Sequence, residues 1–268
     1  MRKESRIGVY ARILNSSPLI MKGDFFIMNR NMSRRISAQK FKKLIVAAVF
    51  CALAFVSMFV MRINVMFLTF DAKDAVVTIA GLLLGPIYAF AISVAVPIIE
   101  SIAIGDTGIW GLLMDFLSTM IFSCTCALIY KHKKNIKGAV VGLVSSVFSM
   151  TAFMILFNLF IVPLYTPGYT TAAVAAMVPT LFLPFNLTKS LLNAALVLIL
   201  YKPASTALKA TKVLPSKAVE NNDSVDMAER KKKNLKFSLT VTAIGIAVIA
   251  ICLVVFFTAL GGTVSFGK

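Results

Sequence analysis

The sequence predicts an all-α, polytopic membrane protein, and three observations lead to this fold class. First, 59% of the 268 residues are hydrophobic and only 15% are charged, whereas soluble domains carry about 45–50% apolar and about 25% charged residues. Second, the apolar residues are gathered into stretches near the length of about 20 residues that a membrane-crossing helix needs. Third, the basic residues behind the net charge of +17 cluster beside these stretches.

Six apolar spans are predicted ahead of a charged segment. The second is short for a crossing and ends at Gly85-Pro86, Pro97 should kink the third, and Pro179 and Pro184 interrupt the sixth. A seventh span, 237–260, follows the charged segment. The six boundaries are Leu44–Met61, Ala75–Leu84, Ile87–Ile104, Leu112–Tyr130, Ala139–Tyr165 and Ala172–Tyr201.

The composition changes along the chain and predicts four regions. Residues 1–39 are a basic N-terminal extension that is expected to be disordered, and residues 40–205 form a six-helix membrane domain. Residues 206–236 are polar and charged without an apolar period, as is typical of a flexible linker. Residues 237–268 are an additional transmembrane helix with a short tail.

The charges predict the orientation of these spans. Basic runs precede the first span, follow the fourth as KHKKNIK, and follow the sixth as the linker. The segments after the first and third spans instead carry Asp71, Asp74 and Asp106. Because cytoplasmic loops are rich in Lys and Arg, the N-terminus is predicted to be cytoplasmic in the cell membrane. Basic residues placed this way do not indicate nucleic-acid binding.

The sequence carries no recognisable catalytic, nucleotide or metal motif. It lacks the phosphate-binding motif G-x-x-x-x-G-K-[ST] and the zinc motif H-E-x-x-H. The single histidine, His132, lies in a basic run, and the four cysteines all fall inside apolar spans. We therefore expect no catalytic residues, no metal and no cofactor.

Lys189 is the residue that lipid should not tolerate, because a lysine deep in a span costs about 2.5–3.5 kcal/mol on insertion scales. Spacings of three, four and seven place Asn186, Lys189, Ser190 and Asn193 on one helical face, which predicts a cavity or a partner helix there. Pairing of Lys189 with a carboxylate purely for packing remains open. Glu100 and Asp115 are candidates either to neutralise Lys189 or to bind ligand hydroxyls, and solvation is an alternative for Asp115.

Two weaker patterns lie elsewhere. Asn158, near the outer end of the fifth span, is equally explained by helix–helix hydrogen bonding and by ligand binding. Ala48 and Ala52 form a small-xxx-small pair on the first span, where close packing against another helix or against a partner is possible.

The chain resembles the S components, the substrate-binding subunits of energy-coupling-factor (ECF) vitamin transporters, and is most similar to the riboflavin-specific type. Over residues 40–205, four segments carry the resemblance: FLTFDAKD, GLLLGPIYAF, NLFIVPLY and LPFNLTKSLLNAALVLILYKP. The resemblance implies a six-helix S-component bundle, here with one extra C-terminal helix. It also implies that Ala48 and Ala52 dock on a transmembrane T component, which works with two ABC-type ATPases.

The resemblance further implies a site for riboflavin as the transported ligand. Asn158, Asn186 and Lys189 would hold the flavin ring edge. The first loop would cover the pocket, and carboxylates would accept hydrogen bonds from the ribityl hydroxyls. The further candidates are Phe67, Phe70, Asp71, Asp74, Glu100 and Asn193.

Three alternatives stay open. The ligand could be another vitamin or FMN, for which Arg62 and Lys73 would supply cations near the phosphate. An intramembrane enzyme would need a catalytic constellation, and an assembly protein would not need Lys189. An uptake subunit of an ATP-driven transporter, itself without enzymatic activity, is therefore the predicted function.

Overall fold

A computed structural model describes residues 18–60, 62–66, 68–103, 108–132, 136–166, 168–210 and 224–264. Residues 1–44 and 45–268 form two compact units, and the helical bundle belongs to the second. In the described part of the chain the helices are α1 (Pro18–Val60), α2 (Lys73–Leu84), α3 (Pro86–Ala103), α4 (Gly108–His132), α5 (Ile136–Tyr165), α6 (Thr171–Met177), α7 (Leu183–Ala210) and α8 (Ser224–Thr258).

The predicted all-α polytopic fold is confirmed. Among the described residues, five segments are long and apolar enough to cross a membrane, and Thr242–Thr258 in α8 is a shorter apolar segment. The five are Gln39–Val60, Pro86–Ala103, Gly108–His132, Lys137–Leu164 and Thr171–Ala207.

Helix α2 is the short second span, and neighbouring helices bury most of it. Its 12 residues extend about 18 Å at 1.5 Å per residue, less than the roughly 30 Å of a bilayer core. Ten of them are buried, between α3, α4 and α7. Gly85 follows the end of α2, and its φ of 114°, which is allowed for glycine, lets α3 begin at the next residue.

Between α1 and α2 the chain forms a β-hairpin, which the sequence analysis did not predict. Strand β1 (Arg62–Val65) pairs antiparallel with β2 (Leu68–Asp71). A third strand, β3 (Thr263–Val264), comes from beyond α8 and pairs with the other edge of β1. The sheet order is therefore β2-β1-β3, and the tail after the seventh span lies beside the hairpin.

Of the two prolines of the sixth span, Pro179 lies where the helix type changes and Pro184 lies in the first turn of α7. A π-helical turn, Val178–Phe182, joins α6 to α7 and contains Pro179. Proline removes a backbone donor, and single π turns are a common way for a helix to absorb such a defect. Helix α7 then begins at Leu183 and carries the polar face predicted around Lys189.

Two predicted regions differ from the structure. Helix α1 begins at Pro18, inside the extension that was expected to be disordered. Helix α7 continues to Ala210 and α8 begins at Ser224, so both reach into the expected linker. The charged residues there still have good helix propensity, and long apolar helices propagate into them cooperatively. Residues 1–17 and 211–223 lie outside the described residues.

Gly81 is a close contact inside the bundle, and Gly81→Ala is expected to be destabilising. An added Cβ would lie 2.8 Å from the Ala89 Cβ and 3.0 Å from the Ala127 Cβ. Such overpacking typically costs about 1–3 kcal/mol. Thermal unfolding in detergent should show a lower midpoint for this variant. Ala91→Val, which adds bulk at an exposed position of α3, should leave the midpoint unchanged, and equal midpoints for both variants would refute the close packing.

Candidate functional site

Lys73, at the junction of the hairpin with α2, is the centre of a buried charge cluster. The residue is fully buried, and its Nζ lies 2.6 Å from Glu100 Oε2, 2.6 Å from Asp115 Oδ1 and 3.3 Å from Asp71 Oδ2. An ammonium has three donors, and here three carboxylates from three elements converge on it. The main-chain N–H of Lys73 also donates to Asp71 Oδ1 at 3.1 Å.

This cluster corrects two interpretations of the sequence. Glu100 and Asp115 pair with Lys73 and not with Lys189, so the suggested neutralisation of Lys189 by either of them is wrong. Asp71 and Asp74, assigned to an outer loop, are 4% and 0% exposed. Both are buried because the hairpin folds onto the bundle.

Lys189 lies next to this cluster, on α7. Its Nζ donates to the carbonyl oxygen of Thr69 on β2 at 3.2 Å and lies 4.0 Å from Asp74 Oδ2. The other carboxylate oxygen of Asp74 accepts a hydrogen bond from Thr119 Oγ1 of α4 at 2.6 Å. Lys189 therefore links α7 to both the hairpin and α2.

Asn193, one turn further along α7, holds the start of α2. Its Oδ1 accepts from the main-chain N–H of Ala75 at 3.1 Å, one of the N-terminal donors that a helix leaves unpaired. Its Nδ2 donates to the carbonyl oxygens of Lys189 at 3.2 Å and of Asp71 at 3.5 Å. This side chain thus fixes the junction of β2 and α2 against α7.

The predicted polar face of α7 is buried as a whole. Asn186, Lys189, Ser190 and Asn193 are at most 6% exposed, and Ser190 Oγ lies 3.4 Å from Thr151 Oγ1 of α5. A face that the bundle covers in this way does not meet lipid, as the spacing predicted.

Two asparagines of the predicted site bond to main-chain carbonyls of their own helices. Asn158 donates to the carbonyl oxygen of Met154 at 2.6 Å, and Asn186 donates to that of Phe182 at 2.8 Å. These acceptors lie four residues earlier in the same helix. Both amides thus bond within their own helices, and both are buried at 1% exposure.

The two aromatic candidates of the hairpin have different outcomes. Phe67 lies outside the described residues. Phe70 is fully buried, and its ring centroid is 5.4 Å from that of Phe256 in α8. Phe70 therefore packs against an apolar ring, whereas the main-chain carbonyl of Thr69 and the carboxylate of Asp71 contact the two lysines.

In this region, three buried polar atoms form no hydrogen bond with any described residue. They are Asp74 Oδ2, Asp115 Oδ2 and Ser118 Oγ. Buried polar groups are rarely left in this state, so each calls for an explanation such as a bound molecule. No group of three or more His, Cys, Asp or Glu among the described residues is arranged to hold a metal ion.

The two alanines of the first span lie on its outer surface. Ala48 and Ala52 are exposed, whereas Ala47 and Ala54 on the opposite side are buried against the bundle. In the described part of the chain, Ala48 and Ala52 are therefore not packed inside the bundle, and their small side chains face outward.

Lys73 falls in a predicted outer loop, and its central role in the cluster was not predicted from the sequence. The sequence nevertheless contained an indication of this role. The predicted spans include two acidic residues, Glu100 and Asp115, but only one lysine. Carboxylates buried in a membrane protein need a cation, and DAKD offers one at the start of the next helix. No comparable pattern in the sequence predicts the contact of Phe256 with the hairpin.

Comparison with known proteins identifies the family. A family model for the ECF transporter substrate-specific component matches residues 42–201, more than half of the chain. The chain belongs to this family. As a substrate-specific component it is a transport subunit of a membrane transporter and not an enzyme. The match includes the hairpin, the helices that carry Lys73 and Lys189, and the exposed alanine pair.

One named protein and one solved structure are similar to this substrate-specific component. It is 26% identical over 189 residues to a protein named riboflavin transporter RibU from Staphylococcus aureus (strain TCH60), with 67% of this chain and 98% of the relative covered. It also resembles a solved S component of a bacterial ECF transporter, with a TM-score of 0.53 and 27% identity, over 63% of this chain and 99% of the other. Helix α8 and strand β3 lie beyond the family match.

Proposed function

We propose that this substrate-specific component binds riboflavin and delivers it to an ATP-driven ECF uptake transporter. The observation that carries the proposal is the buried polar region beneath the hairpin. There Lys189 donates to Thr69, and two carboxylate oxygens of the region form no hydrogen bond with any residue that the structure describes. The similarity to a riboflavin transporter over nearly all of that relative's length supports this ligand.

The chemistry of the region suits a molecule with a polyol chain and a polar ring edge. Asp74 Oδ2 and Asp115 Oδ2 are buried acceptors, which the hydroxyls of a ribityl chain would satisfy. The imide edge of a flavin offers an N–H and two carbonyls, and Lys189, Asn158 and Asn186 bring the matching donors and acceptors. In this proposal the remaining polar residues of the predicted site, Asp71, Glu100 and Asn193, hold the site's shape through Lys73 and the start of α2.

The charge balance of the region favours riboflavin over FMN. Two lysines, Lys73 and Lys189, face four carboxylates at Asp71, Asp74, Glu100 and Asp115. Lys73 is already bound by three of them, so it is not the free cation that an FMN phosphate would need. An added phosphate would enter a region that is already rich in negative charge, and such like-charge contacts oppose binding.

The transport step would use the outer surface of α1. Ala48 and Ala52 are exposed there, and small residues allow a transmembrane T component to approach closely where lipid gives no hydrophobic drive. Two ABC-type ATPases bound to the T component would supply the energy. The distribution of basic residues supports a location in the cell membrane with a cytoplasmic N-terminus, and the hairpin would then lie on the outer side.

Riboflavin titration of the purified full chain in detergent tests the proposal. We expect quenching of flavin fluorescence with a Kd below about 1 μM, which corresponds to a binding free energy near −8 kcal/mol. FMN should bind at least about tenfold more weakly for the electrostatic reason above, and lumiflavin, which lacks the ribityl chain, should also bind more weakly. Absence of binding at micromolar riboflavin would refute the ligand and leave the family assignment intact.

A further inference from the structure

The C-terminal part of the chain is attached to the hairpin by main-chain pairing. In β3, Thr263 and Val264 pair with Asn64 and Ile63 of β1, and the N–H of Gly262 donates to the carbonyl oxygen of Phe256 at 2.8 Å. Gly262 is packed closely, since an added Cβ would lie 2.9 Å from that oxygen and 3.0 Å from Ile63 Cγ2. The end of α8 and the first strand of the hairpin therefore fit together without spare space.

Phe256 makes the side-chain part of the same attachment. It is fully buried, and its ring centroid lies 5.4 Å from Phe70 of β2 and 5.7 Å from Phe185 of α7. It thus touches both the hairpin and the helix that carries Lys189. The apolar cluster around it consists of Ile63, Val65, Phe70, Leu181, Phe185, Leu192, Cys252 and Phe256.

The position of this cluster connects it to the candidate site. On β2, Phe70 lies between Thr69, which accepts the hydrogen bond of Lys189, and Asp71, which binds Lys73. A movement of β2 away from α7 would therefore separate Phe70 from Phe256 and, at the same time, break the hydrogen bond from Lys189 to Thr69. The hairpin cannot uncover the buried polar region unless this apolar cluster also opens.

We propose that α8 and β3 form a C-terminal clamp that holds the hairpin closed over Lys189 and Asp74, with Phe256 as its positioning residue. The clamp slows hairpin opening, because opening must break the β1–β3 pairing and expose the Phe256 cluster. Its consequence for ligand exchange rests on the proposed riboflavin-binding function: the clamp slows both entry and release of riboflavin while it changes the equilibrium affinity less.

Hydrogen exchange of the hairpin amides in the full chain tests the clamp without any ligand. Phe256→Ala should speed exchange in the segment 62–71 by about tenfold or more, because local opening free energy sets the exchange rate. The matched control is Phe257→Ala, which removes the same side chain from the next position of α8, where it is 44% exposed. Equal exchange rates in the two variants would overturn the proposal.

Gly262→Ala gives a second route if Phe256→Ala does not fold. Its added methyl meets the Phe256 oxygen and Ile63, so it should loosen β3 from β1 and also speed exchange of the segment 62–71. Unchanged exchange in a folded Gly262→Ala variant would count against the clamp.

A reversible cross-link tests the consequence for riboflavin. Asn64 and Thr263 are register partners, so Asn64→Cys with Thr263→Cys places two thiols across the β1–β3 pair. In the full chain, the disulfide form should slow riboflavin association and release together, and reduction should restore both rates. Each single cysteine variant controls for oxidation of the native cysteines.

The outcomes separate the clamp from the proposed function. If riboflavin does not bind the unmodified chain, the proposed function fails and hydrogen exchange alone decides on the clamp. If riboflavin binds and neither Phe256→Ala nor the disulfide changes both rates, the clamp is refuted as the element that limits exchange. A purely structural role would alter the Kd without moving the two rates in the same direction.

Discussion

Lys189→Ala is expected to weaken riboflavin binding by about 100-fold. Hydrogen bonds to charged groups are worth about 1.5–3 kcal/mol, and each 1.4 kcal/mol is a factor of ten in affinity. The substitution removes the cation beside Asp74 Oδ2 and the donor that reaches Thr69 on the hairpin. A titration of the variant with riboflavin in detergent, compared with the unmodified chain, measures the effect.

Two further variants separate binding from folding. Lys189→Met keeps most of the side-chain volume and should lose affinity to a similar extent, because the charge is what the site requires. Lys202→Ala removes an exposed lysine from the same helix and should bind as the unmodified chain does. An unchanged Kd in both folded Lys189 variants would remove this residue from the ligand site.

Lys73→Met is expected to destabilise the protein by about 3–5 kcal/mol, the usual cost of removing one partner from a buried ion pair. Asp71, Glu100 and Asp115 would then share one buried region without the ammonium that they surround. Thermal unfolding in detergent should show a large fall in the midpoint, and riboflavin binding should fall as a result of the altered hairpin.

A double variant tests whether the loss comes from uncompensated charge. Glu100→Gln combined with Lys73→Met should be more stable than Lys73→Met alone, because one unpaired carboxylate has become neutral. Lys202→Met supplies the exposed control. If Lys73→Met unfolds at the midpoint of the unmodified chain, the three carboxylates do not depend on Lys73 for their burial.

The sequence predicted the helical elements well wherever one physical signal was enough. The third span, predicted as Ile87–Ile104, is α3 at Pro86–Ala103, because a Gly-Pro link and a polar loop mark its ends. The spacing of polar residues around Lys189 placed them on one buried face for a similar reason. Both inferences rest on local periodicity and on the cost of polar groups in lipid.

The parts that failed or were missed depend on contacts between distant segments. The partner of Glu100 and Asp115 could not be read from the span in which each lies, since the choice between Lys73 and Lys189 depends on how the hairpin folds back. Strand β3 has two residues and pairs with β1 near the other end of the chain, so no local pattern marks it. Short strands have only a weak local sequence preference, and when their partners lie far away in the sequence, the pairing cannot be predicted from local patterns.

The pairing of β1 with β3 also has a consequence for the order of synthesis. Residues 62–65 are made early, whereas their partners at 263–264 are made after all the long apolar spans. During membrane insertion the outer edge of β1 therefore stays unpaired, and an unpaired strand edge is open to other chains. The three-stranded sheet can therefore form only after translation has passed Val264, long after the hairpin itself has been made.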